Sequence, residues 1–276
     1  MEVQKKCFEL GISDFIAKPF NNAIIKQRVK NTAEFFDYKL KLEDKVAEQT
    51  NVLRKAYRTL QIQAEYLQKK NQQIIEMLGT VVEYRSTESG EHIQRVKGYT
   101  RILAEAVMED YPEYELTKEK IDIIESVSAL HDIGKIAIPD RILLKPGRLT
   151  AEEFEYMKSH TIRGCELLDS IKEDWNDDTM KYAYEICRHH HERYDGKGYP
   201  DGLVGDEIPI CAQLVSVADV YDALVNERCY KDAFSKEDAY RMIITGECGV
   251  FSPKLMESFR KVRPAFEKLA NKSFRK

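Results

Sequence analysis

The sequence predicts an all-α protein: a long N-terminal helix followed by a larger helical domain. Three observations lead there. From Gly79 onward apolar residues recur at helical spacing, and glycine falls only at breaks. One seven-residue series is apolar throughout, from Val46 to Val81. No pair of strand-like segments announces itself anywhere in the chain.

The bulk properties bound the class. The 276 residues are 43% hydrophobic and 33% charged, enough for one large domain with appendages. No run of about 18 apolar residues occurs, so no membrane span is expected. The opening "MEVQKKCFELGISDF" lacks an apolar signal core, so the expected location is the cytoplasm. The net charge of −4 gives no general attraction to DNA or to an acidic membrane surface. Six cysteines are scattered without a CxxC spacing, which reads as thiols in a reducing compartment rather than a disulfide framework.

Residues 1–30 read as a helix end, a short strand and a helix. "SDFIAKPF" is a brief apolar run stopped by Lys18-Pro19, and "NNAIIKQRVKN" carries a helical face at 24, 25 and 29. That is too little to fold alone. The stretch resembles the C-terminal end of a response-regulator receiver domain, where a lysine-proline step precedes the last helix and the lysine helps hold an aspartyl phosphate. Lys18 matches that lysine. The front of such a domain, with any phospho-accepting aspartate, does not occur in this sequence, so 1–30 reads as a truncated receiver.

Residues 31–81 are polar and free of glycine and proline until Gly79. Val46, Leu53, Leu60, Leu67, Ile74 and Val81 form position d of a heptad, and Thr50, Tyr57, Ala64, Asn71 and Leu78 form position a. A sustained heptad predicts a left-handed coiled coil, and an asparagine at a favours two parallel strands. The expectation is a parallel homodimer joined through this helix; the alternative is one amphipathic helix packed on its own domain.

Residues 82–276 form the main helical domain. "VSALHDIGKIAI" reads as an apolar helix with charged interruptions. Thr150 and Glu153 form a capping box ahead of a helix that His160 ends. "DTMKYAYEICRHHH" is a further helix, and "AQLVSVADVYDALV" is apolar enough to be buried. Ser252 and Pro253 open the last helix.

All six histidines (92, 131, 160, 189, 190 and 191) lie in this domain. His92 follows Glu88 by four, His131 precedes Asp132 directly, and Lys135 stands one turn on. Asp219 sits in the buried helix with Asp222 one turn later. Carboxylates on apolar helices are costly unless paired or metal-bound. Imidazole with carboxylate, and no cysteine at ligand spacing, points to Mn or Fe before structural Zn. More than four ligands implies at least two metals, an arrangement suited to phosphoester hydrolysis. In the triplet His189–His191, successive helical residues diverge by about 100°. Geometry alone therefore allows either neighbouring pair as ligands.

Four stretches, "GEHIQRV", "HDIGKIAIPDRILLKPGRLTAEEFEYMKSH", "HHERYDGKGYPDGL" and "VADVYDALVNERCYKDA", resemble the HD-GYP domain, a branch of the HD metal-phosphohydrolase superfamily. The resemblance covers about residues 79–270 and implies a metal-dependent hydrolase of cyclic di-GMP, releasing the linear dinucleotide pGpG and in some members GMP. It implies His92, His131, Asp132, His160, His190, His191 and Asp219 as metal ligands, with Asp132 bridging. Glu88 matches the extra glutamate of trinuclear members, which favours three metals over two. By the same resemblance Lys135 touches the phosphate or the metal-bound hydroxide, Arg228 and Lys231 hold substrate phosphates, and Tyr199-Pro200 lie beside the substrate. The motif selects His190 and His191 and leaves His189 a bystander. Gly196 and Gly198 would permit the backbone shape that places Tyr199. Tyr194, Ser89 and Ser252 depart from common family residues without removing a ligand. Two other readings stay open: a cyclic di-GMP receptor whose loop contacts a partner such as a diguanylate cyclase, and a hydrolase of another cyclic dinucleotide.

Overall fold

In a computed structural model, the structure describes the chain except residues 1–5, 7, 8, 10, 12–15, 17, 87–89, 172–174, 176, 228–232 and 273–276. Much of the receiver-like stretch, Glu88, Arg228 and Lys231 therefore lie outside the described residues. The described chain is helical; its one β feature is an isolated antiparallel bridge, Asp195–Val204. Among the described residues no helix is long and apolar enough to cross a membrane.

The chain divides into two compact units, residues 1–68 and 69–276. In the first, Asn21 caps the start of α1 (Asn22–Arg85): its Oδ1 accepts from the backbone N–H groups of Ala23 and Ile24 at 3.0 and 3.3 Å. The heptad residues Val46, Leu53, Leu60 and Leu67 are exposed, Leu53 by 70%.

The second unit opens with residues 69–85 of α1 and continues through α2 (Gly90–Asp110), α3 (Lys118–Val127), α4 (Asp140–Leu143), α5 (Ala151–Lys158), α6 (His160–Ser170), α7 (Asp177–His189), α8 (Ile210–Val225), α9 (Lys236–Thr245) and α10 (Pro253–Ala270). Local chemistry sets the boundaries. Thr117 caps α3 through its side chain, the Thr150–Glu153 capping box opens α5, and Ser235 caps α9. Gly246, in the left-handed region at φ 78°, ends α9.

The core lies where α2, α8 and α10 meet. Tyr99, Tyr221, Phe259 and Phe266, all but inaccessible to solvent, interlock there, with the Tyr99 and Phe266 rings stacked at 4.7 Å. Such ring pairs each add about 0.5–1.5 kcal/mol beyond the area they bury. Helix α8 is buried on nearly every face, as its largely apolar composition requires.

Three local readings differ from the sequence expectation. "VSALHDIGKIAI" is not one helix: α3 stops at Val127, and two 3-10 turns, Ser128–Leu130 and Ile133–Ala137, carry the chain on. The tighter path presses Gly134 against α6, where a Cβ would lie 1.8 Å from the His160 carbonyl oxygen. His160 begins α6 rather than ending the preceding helix. Helix α7 ends at His189, so His190 and His191 occupy the turn after it.

Candidate metal centre

His131, His160 and His190 stand at turns or helix ends, each within reach of a backbone carbonyl three or four residues earlier. That local chemistry orients the rings. His131 Nδ1 donates to the Ser128 carbonyl at 2.8 Å, His160 Nδ1 to Met157 at 2.8 Å, and His190 Nδ1 to Ile186 at 3.0 Å. His92, on α2, uses a carboxylate instead: its Nδ1 lies 2.8 Å from Asp222 Oδ2. These acceptors place a hydrogen on Nδ1 and turn each Nε2 inward, the arrangement in which outer partners prepare imidazoles for a metal.

The Nε2 atoms converge on two groups of candidate ligands. Asp132 stands with His160, His190 and His191; His92 and His131 stand with Glu83. Asp132 Oδ1 is 3.1 Å from His160 Nε2 and 3.7 Å from His190 Nε2, while Oδ2 is 3.2 Å from His131 Nε2 and 2.6 Å from Lys135 Nζ. The Asp132 carboxylate thus faces both groups. Asp219, one turn before Asp222 on α8, places Oδ1 3.6 Å from His92 Nε2. His191 packs against His190 and His160, with ring centroids 4.1 and 5.1 Å away.

His189 turns elsewhere. Its Nε2 meets Asp201 Oδ2 at 3.0 Å, beside the Arg188 guanidinium, which grips the same carboxylate at 2.7 and 2.8 Å. The buried Glu192 carboxylate accepts the backbone N–H groups of Asp201, Gly202 and Leu203 at 2.7–3.1 Å. Together these bonds hold the glycine-rich loop. A Cβ at Gly198 would sit 2.4 Å from Glu192 Cα and Arg193 N, so only glycine fits. The loop sets the Tyr199 ring 4.8 Å from that of His191, with Pro200 following through a cis peptide bond.

Two residues were given no role from sequence: Asp222, noted there only as one turn after Asp219, and Glu83. Asp222 is 2% exposed and receives both His92 and Arg95, whose Nε lies 2.6 Å from Oδ1. Glu83 is 1% exposed, with Oε1 3.7 Å from Lys135 Nζ. The signal for Glu83 was present: a carboxylate follows Val81-Val82 directly in an apolar turn.

The electrostatics suit a cation. Burial works against the charged Asp132, yet Lys135 and His131 beside it hold its carboxyl well below the usual carboxylate range. Burial likewise disfavours the His131 cation, but Asp132, Asp219 and Glu83 around it raise its pKa to about 10. His190 and His191 go the other way: burial, reinforced for His191 by the neighbouring rings, keeps them neutral. The site therefore combines the Asp132 carboxylate with the neutral imidazoles of His190 and His191, while His131 carries a proton that a metal would displace, a donor set matched to divalent ions. Buried His131 Nε2 and Asp132 Oδ1 also have no hydrogen-bond partner, a costly condition that coordination would relieve. The residues fit a metal.

An all-α fold centred on adjacent His131 and Asp132, with further histidines gathered around them, defines a metal-binding HD-type domain. Residues 88–249 match the HD domain family, and the chain belongs to that family. Among its relatives is a Vibrio cholerae protein named "Probable cyclic di-GMP phosphodiesterase", 36% identical over 91% of this chain and 56% of its own. A cyclic di-GMP phosphodiesterase of Thermotoga maritima is 36% identical over 95% of this chain and 68% of its own. A 3′3′-cGAMP-specific phosphodiesterase of Vibrio cholerae is 40% identical over 69% of this chain and 34% of its own. The chain thus spans from 34% to 68% of the length of these relatives.

Proposed function

We propose that this chain is a metal-dependent phosphodiesterase that hydrolyses cyclic di-GMP to pGpG, and in a second round to GMP. The observation that carries this reading is the Asp132 carboxylate, which faces His131, His160, His190 and Lys135 together. The names of the relatives supply the substrate class.

The ligands proposed are His92, His131, Asp132, His160, His190, His191 and Asp219, with Glu88 added if three metals bind rather than two. Histidine and carboxylate without thiolate favour Fe or Mn. Bound there, divalent ions would activate water and neutralise charge on the phosphoryl group. Lys135 donates a charge-assisted hydrogen bond to a phosphate oxygen, and Arg228 and Lys231 meet the second phosphate. Tyr199 and Pro200 line the approach. Water adds to phosphorus, and the bond to the 3′ oxygen breaks.

The exposed heptad of α1 supports a parallel homodimer through a coiled coil over 31–81. Residues 1–30 are proposed as the end of a receiver domain.

Protein loaded anaerobically with Fe(II) or Mn(II), its metal content verified, should turn over cyclic di-GMP. No product with either metal refutes the reading; tight cyclic di-GMP binding without product establishes a receptor, of the kind that would act through a partner such as a diguanylate cyclase. The cGAMP-specific relative makes 3′3′-cGAMP the substrate to run alongside.

A further inference from the structure

The last turn of α1 reaches the segment that follows the His-Asp pair. Arg85 Nη1 donates to the carbonyls of Lys135 at 3.0 Å and Ile136 at 2.8 Å. Its Nη2 donates to the Ile138 carbonyl at 2.7 Å and to Asp140 Oδ1 at 2.6 Å, and Nε joins the same oxygen at 3.1 Å. The 3-10 turn Ile133–Ala137 ends here, its Lys135 carbonyl also accepting the Ile138 backbone N–H at 3.0 Å. One planar guanidinium serves the carbonyls of Lys135, Ile136 and Ile138 and one carboxylate, which an ammonium cannot do.

Two residues earlier, the buried Glu83 faces the side chain of Lys135. Its Oε2 accepts from Ser86 Oγ at 3.3 Å, and Oε1 points to Lys135 Nζ at 3.7 Å. Lys135 also contacts Asp132 Oδ2 at 2.6 Å. An Asp132 engaged in metal binding has less charge to offer the ammonium. Glu83 offers it a second anionic anchor away from the Asp132 carboxylate.

We infer that Glu83 and Arg85 are positioning residues for Lys135: Arg85 fixes its backbone and Glu83 its ammonium. The inference rests on the reading of Lys135 as the group that meets the substrate phosphate.

The test compares full-length, metal-loaded Arg85→Lys, Glu83→Gln, Lys135→Ala and the Glu83→Gln/Lys135→Ala double variant with wild type. A misplaced group costs on the order of 10- to 100-fold in kcat while binding survives. Arg85→Lys and Glu83→Gln should each show that loss with KM within about threefold and metal content unchanged. Because Glu83 acts through Lys135, the double variant should be no slower than Lys135→Ala alone. Hydrogen–deuterium exchange across 133–140 should accelerate in Arg85→Lys, and this readout needs no substrate. Unchanged kcat in both single variants, additive loss in the double variant, or loss of metal from Glu83→Gln overturns the inference; the last makes Glu83 a ligand. If wild type turns over no cyclic dinucleotide, the proposed function falls, and unaltered exchange in Arg85→Lys separately refutes the backbone role.

Discussion

Asp222 Oδ2 accepts the Nδ1 hydrogen of His92 at 2.8 Å, and both side chains are nearly inaccessible to solvent. The same carboxylate grips Arg95, so α8 fixes the ring of a proposed ligand on α2 through a charged, buried pair. Outer partners of metal-binding histidines typically carry about 10- to 100-fold in metal affinity. Asp222→Asn should weaken metal binding by about 10- to 100-fold with the fold retained, measured by titration with Mn(II). Wild-type affinity in that variant would remove Asp222 from the site.

The Asp132 carboxylate faces both groups of candidate ligands. Asp132→Ala should lose bound metal and cyclic di-GMP turnover together, read by elemental analysis and product assay on one preparation. Turnover at the wild-type rate would refute its assigned role.

His189 serves the loop rather than the metal centre. His189→Ala removes one part-exposed contact to Asp201, worth about 0–1 kcal/mol, and should leave metal content unchanged. His190→Ala, one position on, should strip metal. The reverse pattern would shift the ligand register by one residue.

Gly134 sits where a side chain has no room. Gly134→Ala places a Cβ against the His160 carbonyl and should destabilise the domain by about 3 kcal/mol, at the upper end of overpacking costs. Chemical denaturation of the metal-free protein measures this without reference to activity.

Metal uptake should depend on pH through His131. Its folded pKa, raised to about 10, lies above the ordinary 6.5. In the metal-free protein the contribution of the charged ring to stability is complete below 6.5 and fades as pH rises through about 10. Metal needs the neutral Nε2 and so displaces that proton. Between pH 6.5 and 8.5 the apparent affinity should therefore rise by about tenfold per unit for that proton. Calorimetry in buffers of different ionisation enthalpy should register proton release on binding; no release contradicts this account of the site.

Much of this was legible without coordinates. The helical period of the apolar residues, the capping box at Thr150 and the buried composition of α8 all follow from local rules. The HD domain family was legible because its motifs are long contiguous stretches. What failed was local geometry around the histidines. The apolar run through His131 reads as helix, but the backbone tightens into 3-10 turns so that Gly134 can meet α6. His160 opens a helix instead of closing one, which turns its Nδ1 to Met157 and its Nε2 inward.

The sequence by itself determined which residue types carry the chemistry and which segments bring them: helical period and short-range capping are properties of neighbours along the chain. Only tertiary structure decided which atom faces which. Asp219 and Asp222 are equivalent in sequence as carboxylates one turn apart on an apolar helix, yet one faces Nε2 of His92 and the other holds Nδ1. Glu83 and Arg85 belong to the end of a polar helix by sequence and to the surroundings of Lys135 by position. Those roles depend on contacts between residues about 50 and 130 positions apart, which packing of the core sets and no local pattern encodes.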